Sequence, residues 1–270
     1  MFCYVKGEWV EESAARIAIS ERGFRFGDGA FETILVKNSI AQHLALHLQR
    51  LSDGLNAIRI KEPVENIADL CAEIIRLNAI KNGVLRISVS RGIGSRGYLP
   101  TVTAAPTVVI ETLPLPLANA QPLMLWLSTS RKTSADTLPV QHKLMQGLNS
   151  TLARMEAADH GCDEALMLNI KGEICEASSG NIFWRDAQGI IHTPALDCGI
   201  LAGISRHLLL EKWGAKVKQG HYPLEALRDA KSVFITNAIT GPQAISLLQP
   251  TDIKWTDFSL AEEAYRLWLV

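Results

Sequence analysis

Ile174-Cys-Glu176-Ala-Ser-Ser-Gly-Asn181-Ile-Phe-Trp184 places two short apolar runs on either side of a cluster of small polar residues. The runs read as strands, Ile174 to Ala177 and Asn181 to Trp184, joined by a tight polar connection. Glu176 puts a carboxylate on a strand directly before that cluster. A strand-end acid ordinarily faces water, so this position marks a candidate binding group.

Outward from it, Ala165 to Asn169 and Ile190 to His192 read as further strands, separated by turns at Lys171-Gly172 and Gln188-Gly189. Upstream lie a strand, Leu123 to Ser128, a long polar loop, and a helix from about Gln146 to His160. Downstream a helix begins near Gly203, and the strand Ser232 to Ile235 opens into Thr236-Asn-Ala-Ile-Thr240-Gly241. The first half reads as short strands and turns from Phe2 to Val36, then helices over Ala41 to Ile60 and from about Val64 to Leu77. The runs Gly83 to Ser90 and Pro106 to Thr112 are rich in branched residues and read as strands. Leu113 to Pro122 holds three prolines, which remove backbone donors and stiffen the chain. The expected organisation is an N-terminal α/β domain over 1–112, a linker over 113–122 and a C-terminal α/β domain over 123–270.

The chain has 270 residues, 47% of them hydrophobic, and a net charge of -1, the makeup of an ordinary globular protein. Acids and bases are interleaved, which gives no basic face for nucleic acid or an anionic membrane and favours a small-molecule partner. Five cysteines, odd in number and scattered, read as reduced, mostly buried thiols. The N-terminus lacks the pattern of a signal peptide and no apolar run is long enough to span a bilayer, so the expected location is the cytoplasm.

Two patterns are set aside. Gly92-Ile-Gly94-Ser-Arg-Gly97 matches a dinucleotide-binding turn, but Tyr98-Leu-Pro-Thr continues with residues that do not open a helix. His43 and His47 stand four apart on a helix, but no third ligand is evident, and an amphipathic surface explains them. No metal set is expected.

Three further segments could hold an anion or an electrophile. Gly199-Ile-Leu-Ala-Gly203-Ile-Ser205-Arg looks like a loop opening a helix, whose amides near Ile204 and Ser205 could cradle a phosphate. A simple helix cap is the alternative. Thr236 to Gly241 has the composition of a phosphate nest or of a plain loop. Gln141-His-Lys143-Leu-Met-Gln ends a polar loop, where a solvated lysine is the bland reading.

Taken in order, Phe24-Arg-Phe-Gly-Asp-Gly-Ala-Phe-Glu-Thr33, His47-Leu-Gln-Arg50-Leu, the Lys143 segment, Asp163-Glu-Ala-Leu, Glu176 to Phe183, Gly199 to Arg206 and Thr236-Asn-Ala resemble the class IV aminotransferase family. The resemblance implies a mixed α/β, two-domain fold-type IV architecture, like that of D-amino acid aminotransferases, with pyridoxal 5'-phosphate (PLP) between the domains, usually in a homodimer. It implies Lys143 as the Schiff-base lysine and general base, and Glu176 as partner of the pyridine nitrogen. It implies Arg50, Ile204, Ser205 and Thr240 as phosphate holders, Leu201 against the ring face, and Ser179, Asn181 and Gly203 as further cofactor contacts. These types suit the chemistry: a lysine amine condenses with an aldehyde and then moves a proton, a carboxylate keeps the ring nitrogen protonated, and an arginine fork matches a phosphate.

Arg91-Gly-Ile-Gly-Ser-Arg96-Gly-Tyr98 is similar to a stretch of aminodeoxychorismate lyases, as is Phe31-Glu-Thr33. That likeness implies Arg96 and Tyr98, with Phe31, as substrate residues and Thr33 as a proton-transfer group. The reaction would convert 4-amino-4-deoxychorismate to 4-aminobenzoate and pyruvate, a step of folate biosynthesis. Lys143-Leu-Met-Gln146 and Thr236 to Gly241 depart from the lyase pattern, which leaves transamination of D-amino or branched-chain amino acids open. A non-catalytic binding protein is a third reading, which the joint presence of Lys143 and Glu176 opposes.

Overall fold

In the computed structural model, residues 1–63, 66–101, 105–117 and 121–268 are described. The chain divides into two compact units, Met1–Pro116 with His142–Gln146, and Leu117–Gln141 with Gly147–Val270. A boundary at 113–122 would place His142–Gln146 in the second unit, whereas the segment packs with the first. Ala118, Asn119 and Ala120 of the expected linker lie outside the described residues.

The first unit contains β1 (Phe2–Val5), β2 (Glu8–Glu11), α1 (Arg22–Phe26), β3 (Gly29–Lys37), β4 (Ile40–Ala41), α2 (Leu44–Ala57), α3 (Ile67–Leu77), β5 (Asn82–Ser90) and β6 (Thr107–Leu113). Its six strands form one antiparallel sheet in the order β2-β1-β6-β5-β3-β4. Side chains alternate along a strand, and β3 obeys this: Ala30, Glu32, Ile34 and Val36 are buried, whereas Phe31, Thr33 and Leu35 are half-buried. Leu51 and Leu55 of α2 and Cys71, Ile74 and Ile75 of α3 join the core with Ala30, Ile34 and Val36. Burying each leucine, isoleucine or valine among them contributes about 1.5–3 kcal/mol.

The expected second helix begins at Ile67, and Val64 lies outside the described residues. The surface reading of His43 and His47 requires correction. His43 is exposed at the N-cap, but His47 is buried, because one turn into α2 it faces the sheet and meets Glu32. Between Gly97 and β6 none of the described residues is helical.

The second unit contains β7 (Leu123–Leu127), α4 (Leu148–Asp159), β8 (Glu164–Leu168), β9 (Ile174–Ala177), β10 (Asn181–Arg185), β11 (Ile191–Pro194), α5 (Ile204–Trp213), β12 (Val217–Gly220), β13 (Ser232–Asn237), β14 (Gly241–Gln249), β15 (Ile253–Lys254) and α6 (Ser259–Trp268). Its strands run β12-β11-β10-β13-β14-β7-β8-β9, with β15 on β14. Asn181 of β10 also bridges Glu176 of β9, so the path closes into a barrel-like ring. Leu125, Leu166, Ile174, Ile182, Trp184, Val233, Ile235, Ile245 and Leu248 form its principal core. All five cysteines are free and buried. No helix of the described residues is long and apolar enough to cross a membrane.

Candidate active site

In the first unit the backbone decides where Lys143 goes. The Phe31 amide donates to the Lys143 carbonyl at 2.9 Å, the Met145 amide donates to Gly29 at 3.0 Å, and Leu144 bridges Ala30. His142–Gln146 thus runs as a short antiparallel partner along the start of β3. A Cβ at Gly29 would lie 2.8 Å from the Met145 sulfur and 2.5 Å from the Val89 carbonyl oxygen, so glycine permits this close approach. The Lys143 ammonium lies 4.5 Å from the centroid of the Phe31 ring, and the Arg86 guanidinium carbon lies 4.3 Å from it. Thr33, two residues along β3, shares the Phe31 face. Lys143, Phe31 and Thr33 therefore belong to one half-buried face of the sheet.

The opposite face carries a buried charge cluster. Arg50 grips Glu32 through Nε and Nη2, both at 2.7 Å, and His47 Nδ1 lies 2.6 Å from Glu32 Oε2. Burial would raise the Glu32 carboxyl, but hydrogen bonds from His47 and Arg50 outweigh it and hold the group below the ordinary carboxylate range. Arg50 thus commits its Nε and Nη2 edge to Glu32.

Arg96 and Tyr98 lie in an exposed loop of the first unit. Arg96 makes no hydrogen bond or ion pair among the described residues. Tyr98 packs its ring 5.5 Å from Phe26, and Arg22 anchors the loop through the carbonyls of Gly97 and Tyr98.

In the second unit, Glu176 is the hub. Its Oε2 accepts from Asn181 Nδ2 at 2.8 Å and from the Leu201 amide at 3.1 Å, and its Oε1 lies 2.6 Å from Lys132 Nζ. Asn181 also donates to the Leu201 carbonyl at 2.9 Å. A Cβ at Gly203 would lie 2.1 Å from Asn181 Oδ1, so only glycine lets the loop approach this closely. Gly203 caps α5 without a side-chain hydrogen bond, and the ladder starts with His207 to Gly203, so the Ile204 and Ser205 amides have no partner within the helix. Such a terminus attracts an anion.

The Ser205 hydroxyl is buried and accepts from Trp268 Nε1 at 3.0 Å. Trp268 also lies against Gly241, where a Cβ would come within 2.7 Å of the indole. The Thr240 amide and hydroxyl both point at Asn237 Oδ1, at 2.9 and 3.1 Å. The Thr236 hydroxyl is buried and has no hydrogen-bond partner among the described residues, so it is available to a polar ligand. Ser179 stands apart from Glu176: its hydroxyl, like that of Ser178, donates to Glu164.

The sequence reading missed Lys132, Glu32, Thr236 and Trp268 as site groups. Glu32 and Thr236 sit inside motifs already singled out. Lys132 and Trp268 carry no local signal, since each is defined by a partner distant in sequence.

This donor set fits a phosphorylated pyridine. A buried carboxylate suits a protonated ring nitrogen, and a helix terminus with no side-chain cap suits an anion.

The family description "Amino-transferase class IV" matches residues 29–248. The chain is 31% identical over 242 residues to a putative branched-chain-amino-acid aminotransferase of Methanocaldococcus jannaschii, covering 87% of this chain and 84% of that one. It is likewise 31% identical over 250 residues to the aminodeoxychorismate lyase of Bacillus subtilis, covering 87% and 83%. The solved 4-amino-4-deoxychorismate lyase of Pseudomonas aeruginosa superposes with a TM-score of 0.85 at 27% identity, covering 98% and 97%. With its mixed α/β fold and matched motifs, the chain belongs to the class IV aminotransferase family of pyridoxal-phosphate enzymes.

Proposed function

We propose that the enzyme converts 4-amino-4-deoxychorismate to 4-aminobenzoate and pyruvate. The observation that carries this reading is the Arg91–Tyr98 loop, where Arg22 anchors the backbone and Arg96 has no competing partner among the described residues. An uncommitted arginine is suited to a substrate carboxylate, which its planar fork meets with two parallel hydrogen bonds.

Bound PLP supplies an electron sink for the pair left when a substrate carbon loses its proton. Lys143 would carry the covalent attachment, and its free amine would take the proton from C4 of the substrate. Phe31 orients the Lys143 ammonium, and Thr33 on the same face relays the second proton. Glu176 holds the ring nitrogen protonated, with Asn181 and the Leu201 amide fixing its carboxylate. The Ile204 and Ser205 amides hold the phosphate, with Arg50 and Thr240 adding to its field. As the C4 proton leaves, the bond from the ring to the enolpyruvyl oxygen breaks, the ring becomes aromatic, and the released enolpyruvate gains a proton to become pyruvate. The homodimer implied by the family resemblance belongs to this reading.

Equal identity to the putative branched-chain aminotransferase supports transamination as a second reading. One assay separates them. Pyruvate and 4-aminobenzoate released from aminodeoxychorismate without any keto acid support lysis. Turnover only when an amino acid and a keto acid are supplied together rejects it.

A further inference from the structure

Glu173, Cys198 and His221 bring one ligand atom each into a single cluster, all within 4.8 Å of one another. They come from separate places in the second unit: the turn entering β9, the short helical turn before Gly199, and the residue after β12. His221 Nδ1 lies 3.1 Å from Glu173 Oε2 and 3.5 Å from Cys198 Sγ. Tetrahedral zinc, with Zn–N near 2.0 Å, Zn–O near 2.0 Å and Zn–S near 2.3 Å, sets N···O at about 3.3 Å and N···S at about 3.5 Å. Both separations match the edges of that tetrahedron.

The hydrogen-bond pattern points the same way. His221 Nε2 lies 3.1 Å from Asp197 Oδ1, so an Nε2–H donating there leaves Nδ1 with its lone pair. In that neutral tautomer the lone pair faces another acceptor, Glu173. A cation at this point satisfies both and takes the thiolate as third ligand. Carboxylate behind histidine behind metal is the usual outer arrangement of such sites. Asn169 Nδ2 donates to Glu173 Oε2 at 2.7 Å and fixes that carboxylate. His221 is exposed, which leaves solvent access for a fourth ligand.

We infer that Glu173, Cys198 and His221 form a zinc-binding site, with Asp197 orienting the histidine, separate from the Glu176 cluster. Glu173 stands three residues before Glu176, and Cys198 three before Leu201, whose amide holds Glu176. A bound ion ties these two segments and braces the carboxylate. The inference does not depend on which reaction the enzyme performs.

The test uses the PLP-loaded enzyme, Zn²⁺ and Co²⁺. After incubation with Zn²⁺ and desalting, one equivalent per chain is expected to remain. Cys198→Ala and His221→Ala should each weaken binding at least a hundredfold, and Asp197→Asn ten- to a hundredfold. Co²⁺ should give a thiolate charge-transfer band that Cys198→Ala abolishes. His221 is exposed, so H221A tests the site without disturbing the core. Failure of the wild-type protein to retain zinc, or equal retention by C198A and H221A, overturns the inference; the first outcome would mark His221 as an imidazolium paired with Glu173 and Asp197.

Discussion

Lys132, half-buried, and Glu176, buried, form an ion pair, Nζ to Oε1 at 2.6 Å, with side chains 13% and 5% exposed. The carboxylate proposed to meet the cofactor ring therefore already has a cation of its own. Breaking a buried pair by removing one partner costs about 3–5 kcal/mol, since the other charge stays behind unpaired. A protonated ring nitrogen would supply the missing charge. Lys132→Met is expected to destabilise the PLP-free protein more than the PLP-loaded one, read from urea unfolding of both forms. Equal losses would show that Lys132 and the ring do not share Glu176.

Two lysines now compete for notice, and chemistry separates them. Borohydride reduction of the yellow enzyme should fix the cofactor on Lys143, located by peptide mapping, and Lys132→Met should leave that label in place. Lys143→Ala should lose the label and slow turnover roughly 10²- to 10⁴-fold, the span typical of a lost general base. A label on Lys132 would reverse the assignment.

Glu32 gives the fold an acid-sensitive point. Its folded carboxyl titrates below the ordinary value of 4.5 because His47 and Arg50 outweigh its burial. A depressed folded value means that the unfolded chain binds the proton first, so the contribution is complete above about 4.5 and is lost as pH falls through the folded value. Urea midpoints should drop on acidification below that point. Glu32→Gln should be about 3–5 kcal/mol less stable at neutral pH and show a flatter acid limb. An unchanged acid limb would remove Glu32 from the account.

How far the sequence reached follows from where the information lies. Helices α2 to α5 and strands such as β5, β9 and β13 carry their own periodicity or branched runs, so they are readable locally. Glu176 and Asn181 are legible because strand, polar turn and strand are contiguous. β14 is not: Gly241-Pro-Gln-Ala-Ile-Ser lacks a clean alternation, and the strand is fixed by pairing with β13 and β7, the latter more than a hundred residues away. His47 looked like half of a surface pair, because the acid that buries it is on β3. Chain order puts Lys143 after the proline-rich stretch, whereas its backbone pairs with β3.

Arg96 tests the choice of substrate. It is exposed and has no partner among the described residues, so Arg96→Ala should leave PLP content and melting temperature unchanged. A charged hydrogen bond contributes about 1.5–3 kcal/mol, hence KM for aminodeoxychorismate should rise roughly 10- to 100-fold. Steady-state kinetics with an unaltered KM would take Arg96 out of the site.

Trp268 tests the phosphate end. Its indole N–H donates to Ser205 Oγ at 3.0 Å, so the serine's own proton is left to donate elsewhere, and in the proposed site it goes to a phosphate oxygen. Trp268→Phe keeps a ring beside Gly241 but removes the donor. One lost neutral hydrogen bond is worth about 0.5–1.5 kcal/mol, so the PLP dissociation constant should rise roughly 2- to 10-fold. If the indole acts through Ser205, adding Trp268→Phe to Ser205→Ala should weaken PLP binding no further, because both changes remove the same interaction. Fluorescence titration of the PLP-free variants measures this, and strictly additive losses would mean that Trp268 supports the site by packing alone.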